Sequence, residues 1–250
     1  LAVRMMREQG LRVLALNFVS PFCTCGSRKE GGCRLAAGVA RELGVELRML
    51  PKGMEYLRLV EKPRFGYGRG MNPCLDCRIF MLRKAAEVMR EEGAVAVVTG
   101  EVLDQRPMSQ HREALDLIER ESGLSGRLIR PLSAHLLPET VPEREGVVDR
   151  SRLLAFRGRT RRPQLALASA WGLETVGCPS GGCLLTDPVI ARRLKDLFFH
   201  CPDWNEHDVR LTTRGRHFRL HAGLKVILGR DEDENRRLET DPSGLPAAWI

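Results

Sequence analysis

Apolar residues fall along this chain in two alternating rhythms. Near-continuous apolar runs at 11–19 (LRVLALNFV), 45–50 (VELRML), 94–99 (AVAVVT) and 127–133 (RLIRPLS) read as strands of a parallel sheet, the first and third buried on both faces. Helical spacing separates them. Residues 1–9 end a helix at Gly10, Leu35 to Leu43 form a second that stops at Gly44, and Met54 to Val60 a short third. Ile79, Leu82, Ala86 and Met89 make an amphipathic stripe, and residues 107–121 set Met108, His111, Leu115 and Ile118 on one core-directed face. Strand and helix in alternation predict an α/β fold, a doubly wound parallel sheet.

The connections carry their own signals. KPRFGYGRGMNP (62–73) is a long Gly/Pro/Arg loop, expected to be mobile. Pro138 and Pro142 keep the stretch before Ser151 irregular, and two short helices follow at about 149–156 and 162–171. Past Gly172 the pattern changes. A Gly-rich loop, GCPSGGCLLTD (177–187), leads into a helix at 188–199. DVRLTT, HFRLHA and LKVILGR then alternate like strands, and DEDENRRL closes as a charged helix. The chain therefore divides into a main unit at 1–172, a cysteine-bearing segment and helix at 173–205, and a small C-terminal α+β module at 206–250.

Composition narrows the class. No apolar run reaches the roughly 18 residues of a membrane span, so no membrane partner is expected and the location is expected to be cytoplasmic. The sequence opens on Leu1 with helix-like residues and no secretory h-region, and is expected to begin inside a longer protein. Lys and Arg number 40 against 32 acidic residues, a formal charge of +8. That excess fits a nucleic-acid partner, with arginines clustered at 157, 159, 161 and 162 and at 210, 214, 216 and 219. Aromatics at 5% argue against a base-stacking platform.

Eight cysteines fall at 23, 25, 33, 74, 77, 178, 183 and 201, most of them beside Gly or Pro. In such a chain they suit metal or catalytic use better than a disulfide framework. Cys74 and Cys77 give the strongest local signal, because C-x-x-C at a helix start lets two thiolates reach one metal and lowers their pKa. Further ligands are needed, from Cys183 or Cys178, or from the Cys23, Cys25 and Cys33 set, which could equally form a separate zinc knot. Gly100 and Glu101 follow a strand, where open α/β sheets present ligand-binding loops. Ser109 and Gln110 follow, and could simply cap the next helix.

The order of these pieces (CLDCRIFMLRKA, AVAVVTGE, MSQ, IRPLS) resembles the PP-loop tRNA thiolation enzymes. The likeness covers roughly residues 1–200 and is closest to the catalytic half of 4-thiouridine synthetases; the Asn72–Cys74 element is also similar to tRNA 2-thiouridylases. The resemblance implies a PP-loop/HUP-like sheet, ATP with Mg2+, and contacts to ATP from Arg78, Gly100, Glu101 and Gln110. Arg78 stands where lysine is usual, and one extra residue lies between Gly100 and Gln110. It also implies either a [4Fe-4S] cluster on Cys74, Cys77 and Cys183, with Cys178 the lesser candidate, or the same cysteines as persulfide carrier and partner. Catalysis would then lie with Cys74, Cys77 and Cys183, the partners being tRNA and a sulfur donor such as sulfide or a cysteine desulfurase. A homodimer is compatible with this reading. The family's S-G-G-x-D-S pyrophosphate loop is not in the sequence and is expected just before Leu1, and no THUMP-like domain is seen. RGRHFRLHAGLKVILGRDEDENRRL resembles the NFACT-R RNA-binding segment, which implies a substitute tRNA grip. Two competing expectations are a non-catalytic RNA-binding protein with structural zinc and a PP-loop synthetase acting on a small molecule.

Overall fold

The computed structural model describes residues 1–23, 34–173 and 183–239. In chain order the elements are α1 (Ala2–Glu8), β1 (Leu14–Val19), α2 (Arg34–Glu42), β2 (Glu46–Pro51), α3 (Gly53–Glu61), α4 (Cys74–Glu91), β3 (Val97–Val98), α5 (Arg112–Glu121), β4 (Leu128–Ile129), α6 (Val141–Arg144), α7 (Arg162–Ala170), α8 (Pro188–His200), α9 (Glu206–Leu211), β5 (Arg216–His221), β6 (Leu224–Leu228) and α10 (Glu232–Glu239). Short 3-10 turns lie at Ala134–Leu136, Arg150–Arg152 and Leu184–Thr186.

The architecture is mixed α/β with parallel strands, as the alternating rhythm predicts. β1 pairs with β2 and β3 with β4, both in parallel, while β5 and β6 form an antiparallel hairpin. Among the described residues these pairs are separate two-stranded sheets, so a doubly wound sheet is not seen as one hydrogen-bonded whole. β1 is half-buried along its length rather than buried on both faces, since among the described residues β2 alone pairs with it. The expected strand at 94–99 shrinks to two residues. Its partner β4 stops before Pro131, which has no N–H to extend the ladder, and Val95 is left exposed.

Two other expectations are corrected by local hydrogen bonding. The helix expected from 107 starts at Arg112, because the Gln110 carbonyl is taken by the Asp104 amide at 2.7 Å in a tight turn. His111 is not a core residue: its ring Nδ1 caps the helix, accepting from the Ala114 amide at 3.4 Å. DVRLTT is not a strand. Asn205 and Asp208 form a reciprocal capping box that starts α9, and helix initiation overrides the alternation.

Apolar burial gathers around the elements that carry the cysteines. One core joins Phe22, Tyr56 and Val60, Met71 and Phe80, Leu185 and Leu194, and Trp204 and Val209. A second packs α1 against Ile129, Leu132 and Val148, and a third lies between α4 and α5. The loop at 62–73, expected to be mobile, is pinned at several points. Asp76, buried in the first turn of α4, accepts from the Arg64 and Phe65 amides at 2.9 and 3.0 Å. The Met71 amide donates to the Leu185 carbonyl at 2.9 Å. Gly70 lies at φ +69 with that carbonyl 2.3 Å from where a Cβ would sit, so this crossing needs glycine.

Candidate functional site

Both parallel pairs deliver their chemistry at the carboxyl ends of the strands, where open α/β sheets bind ligands. β1 runs into Ser20, Phe22 and Cys23, and β2 into Lys52 and α3. The register sets Val19 opposite Pro51, and the Lys52 amide donates to the Val19 carbonyl at 3.0 Å. α4 meets this edge with Cys74 and Cys77 in its first turns.

The thiols gather around Tyr56 and Lys52. Lys52 Nζ lies 3.1 Å from Cys77 Sγ and 4.2 Å from the Tyr56 ring centroid. Cys77 and Cys183 pack against the core that holds Tyr56. Burial first, and then the charges those thiols would carry, raise the Tyr56 pKa far above its ordinary value. Cys183 is pushed up to about 11, mainly by burial and further by Cys77, against the opposing Leu185 backbone hydrogen bond and Lys52. Cys74 is also raised, by burial and then by Cys77, while Arg106 and Arg78 pull it down. Cys183 sits directly across an antiparallel bridge from Cys23.

A second cluster lies at the ends of β3 and β4. Glu101 is 3% exposed, and its carboxylate takes Arg130 Nε at 3.2 Å and Thr99 Oγ1 at 3.2 Å. Arg78 Nε stands 3.1 Å from the other oxygen, close enough to pair its charge without hydrogen-bond alignment. Arg130 is held further by Glu119 at 2.8 Å and by the Leu115 carbonyl at 3.2 Å. Ser133 Oγ accepts from the Leu103 amide at 2.9 Å and donates to the Phe156 carbonyl at 2.6 Å. Gln110 is 3% exposed and its side-chain oxygen has no hydrogen-bond partner. A Cβ on Gly100 would meet nothing within 4 Å, so open space lies above that turn. Arg78 links the clusters, one residue past Cys77 and paired with Glu101.

A family model described as Thiamine biosynthesis protein (ThiI) matches residues 1–135, more than half of the 250-residue chain. The chain belongs to the ThiI family. No curated protein and no solved structure matches it. ThiI membership points to a tRNA sulfurtransferase, with thiolation in thiamine or 4-thiouridine biosynthesis. Cys74, Cys77, Arg78, Gly100, Glu101 and Gln110 fall inside the ThiI match, and Cys183 beyond it.

Of the site residues expected from sequence, Cys77 and Cys183 pack against one core, and Cys74 stands with Cys77 in the first turns of α4. Cys25, Cys33 and Cys178 lie outside the described residues. The soft thiolate donors suit an iron–sulfur cluster, yet among the described residues no group of three or more Cys, His, Asp or Glu is placed to hold a metal ion. Ser109 and Gln110 do not cap α5, since His111 does. Arg157, Arg159 and Arg162 are exposed, Arg157 pairing with Asp104 at 2.6 Å. Sequence reading missed Lys52, Tyr56 and Arg130. The visible signal for Lys52 and Arg130 was position, each standing just past a strand's carboxyl end. No helix among the described residues is long and apolar enough to cross a membrane.

Proposed function

We propose that this ThiI-family chain carries the sulfur-handling side of an ATP-dependent tRNA uridine thiolation site. The observation that carries the reading is the packing of Cys77 and Cys183 against one core beside Lys52, with Cys23 bridged to Cys183, joined through Arg78 to the cluster that holds Gln110. ATP bound there would supply adenylation of a uracil carbonyl oxygen. The unpartnered Gln110 oxygen would accept a hydrogen bond from an amino group such as that of adenine. Gly100 leaves room for a ligand against the backbone, and Glu101 orients Arg78, whose guanidinium would offset phosphate charge. The two parallel strand pairs would belong to one doubly wound sheet.

Sulfur would travel on the cysteines. Lys52 Nζ donates to Cys77 Sγ at 3.1 Å, which holds that thiol at the strand ends. A second form of the same reading is an iron–sulfur cluster on Cys74, Cys77 and Cys183, which rests on the sequence resemblance, since the described residues form no group of three placed to hold a metal. The exposed arginines at 157, 159 and 162 offer phosphate contacts for tRNA. The β5–β6 hairpin with α10 would add the grip that the NFACT-R likeness implies.

The test is anaerobic purification of the full-length protein, with iron, sulfide and zinc analysis, followed by a thionucleoside assay on unmodified tRNA. ATP-dependent thiouridine that is lost in Cys77→Ser and Cys183→Ser supports the proposal, and iron content separates its two forms. Tight stoichiometric zinc with no thiouridine would return the cysteines to a structural role.

A further inference from the structure

The turn before α5 leaves a methionine in the open. The Ser109 and Gln110 amides donate to the Arg106 carbonyl at 3.3 and 2.9 Å, which buries Ser109 and Gln110 and sets Arg106 and Met108 on the outer side. Met108 is 44% exposed, although its spacing in the sequence directs it to the core. Its Cγ and Cε lie 3.6 and 3.4 Å from where a Cβ on Gly68 would sit, so the thioether rests against that glycine. Gly68 is not held at positive φ, and those distances are ordinary contact. Neither backbone nor space demands glycine there, in contrast to Gly70. What the missing side chain provides is bare backbone that a ligand can approach. The Asn72 carbonyl accepts from the Gly68 amide at 2.9 Å and from the Cys74 amide at 3.0 Å, which seats this surface beside the thiol. The Tyr67 hydroxyl, 2.8 and 2.7 Å from the Val60 and Glu61 carbonyls, fixes the segment in place. Arg69 adjoins Gly68, and Arg106 stands on the Met108 turn. Both are exposed, and among the described residues neither guanidinium has a hydrogen bond or ion pair.

We propose that Met108 and Gly68 form the seat of the target base. A uracil extruded from the tRNA lies flat on the Met108 thioether and against the Gly68 backbone, its reacting edge towards Cys74, while Arg69 and Arg106 hold the flanking phosphates. This rests on the thiolation reading above and gives the substrate base its place within it. A stacked base cannot present a ring carbon to a side chain, so enzymes that act on bases take them out of the stack and hold them between apolar groups. Methionine suits that task, because its polarizable sulfur makes favourable contacts with flat rings and its flexible stem adapts to them. A side chain at residue 68 would stand where the ring passes, and glycine keeps that path clear. Two guanidinium groups with no carboxylate to satisfy them are free to take phosphate oxygens, which fixes the register of the nucleotide without reading its sequence. Gln110 sits on the buried side of the same turn and Met108 on its open side, so nucleotide and base approach from opposite sides of one short segment.

The experiment compares full-length wild type with Gly68→Ala, Met108→Ala and Met108→Leu. It reads thiouridine formed on unmodified tRNA, ATP affinity by calorimetry, and Tm. All four proteins should melt together, since the added methyl meets only ordinary contact distances and Met108 is half in solvent. Turnover should fall about tenfold in Gly68→Ala and in Met108→Ala, the scale of one lost stacking contact, while Met108→Leu stays within about twofold of wild type. ATP affinity should not change in any of them. A 2-aminopurine placed beside the modified uridine should brighten on binding wild type and stay dark with Met108→Ala. Arg69→Met combined with Arg106→Met should raise KM for tRNA and lower the salt slope of binding by about two. Full turnover in both Gly68→Ala and Met108→Ala would overturn the proposal. So would a fall in ATP affinity that matches the loss of rate, because the surface would then belong to the nucleotide. No thiouridine from wild type under any condition would sink the thiolation reading and the seat with it, whereas normal thiolation by the variants sinks the seat alone.

Discussion

Glu101 is the charge on which the second cluster turns, and Glu101→Gln tests that directly. The substitution keeps shape and the contact with Thr99 but removes the negative charge between two guanidinium groups. The Glu101 side chain is 2% exposed and that of Arg130 is 4%, so neither can be rescued by water. Leaving one partner of a buried pair uncompensated costs about 3–5 kcal/mol. Arg130 keeps Glu119 at 2.8 Å, and Arg78 is 26% exposed, which places the expected loss at the lower end, about 3 kcal/mol. For a chain of this size that corresponds to a fall in Tm of about 6–12 °C. Urea denaturation followed by circular dichroism, with a calorimetric scan in parallel, measures both. Arg210→Met, which removes an exposed pair with Glu206, serves as the control and should cost under about 1 kcal/mol. Adding Arg78→Met to Glu101→Gln should recover part of the loss, since fewer charges are then unmatched. A Glu101→Gln loss no larger than that of the control would refute the idea that a buried charge holds this cluster.

Other expectations follow from single contacts. Gly70→Ala forces a Cβ into the Leu185 carbonyl at a positive φ and should cost about 1–3 kcal/mol in urea denaturation. It should also free the Met71–Leu185 crossing and speed iodoacetamide labelling of Cys183. Unchanged labelling would show that the strap does not shield the thiol. Gln110→Ala removes an unpartnered buried oxygen, so stability should hold within about 1 kcal/mol while ATP affinity in calorimetry falls about tenfold. A stability loss with ATP affinity intact would assign Gln110 to the fold alone. His217 supplies a pH dependence. Burial lowers its pKa to about 4 from 6.5, against the pull of the Arg214 carbonyl, which accepts from Nε2 at 2.8 Å and favours the charged ring. Between those values the unfolded chain binds the proton and the folded one does not, so stability falls as pH drops from 6.5 towards 4. The ring is partly solvated, so the loss should be about 1 kcal/mol, and His217→Asn should flatten it.

Much of the fold was legible because its signals are local. Apolar runs located β1 and β2, and the Ile79–Leu82–Ala86 stripe located α4, whose Ile79, Leu82 and Ala86 are all buried. Errors arose where a nearby hydrogen bond outweighed the pattern, as with the Asn205 capping box and the Gln110 turn. The site divided along the same line. Cys74 and Cys77 could be named because four residues carry the spacing. Lys52 reaches Cys77 only because Val19 and Pro51 are in register across two parallel strands. Cys23 meets Cys183 across 160 residues of chain, through a bridge that no spacing rule encodes. Sequence distance hid the partners, while strand ends marked where to look.

The central claim is that these cysteines deliver sulfur to tRNA. Liquid chromatography–mass spectrometry of tRNA nucleosides from cells lacking the gene, complemented with wild type, Cys77→Ser or Cys183→Ser, tests it most directly. The account predicts that one thiouridine disappears on deletion, returns with wild type, and stays absent with either variant at equal protein level. An unchanged thionucleoside profile on deletion, or full recovery with Cys183→Ser, would contradict it.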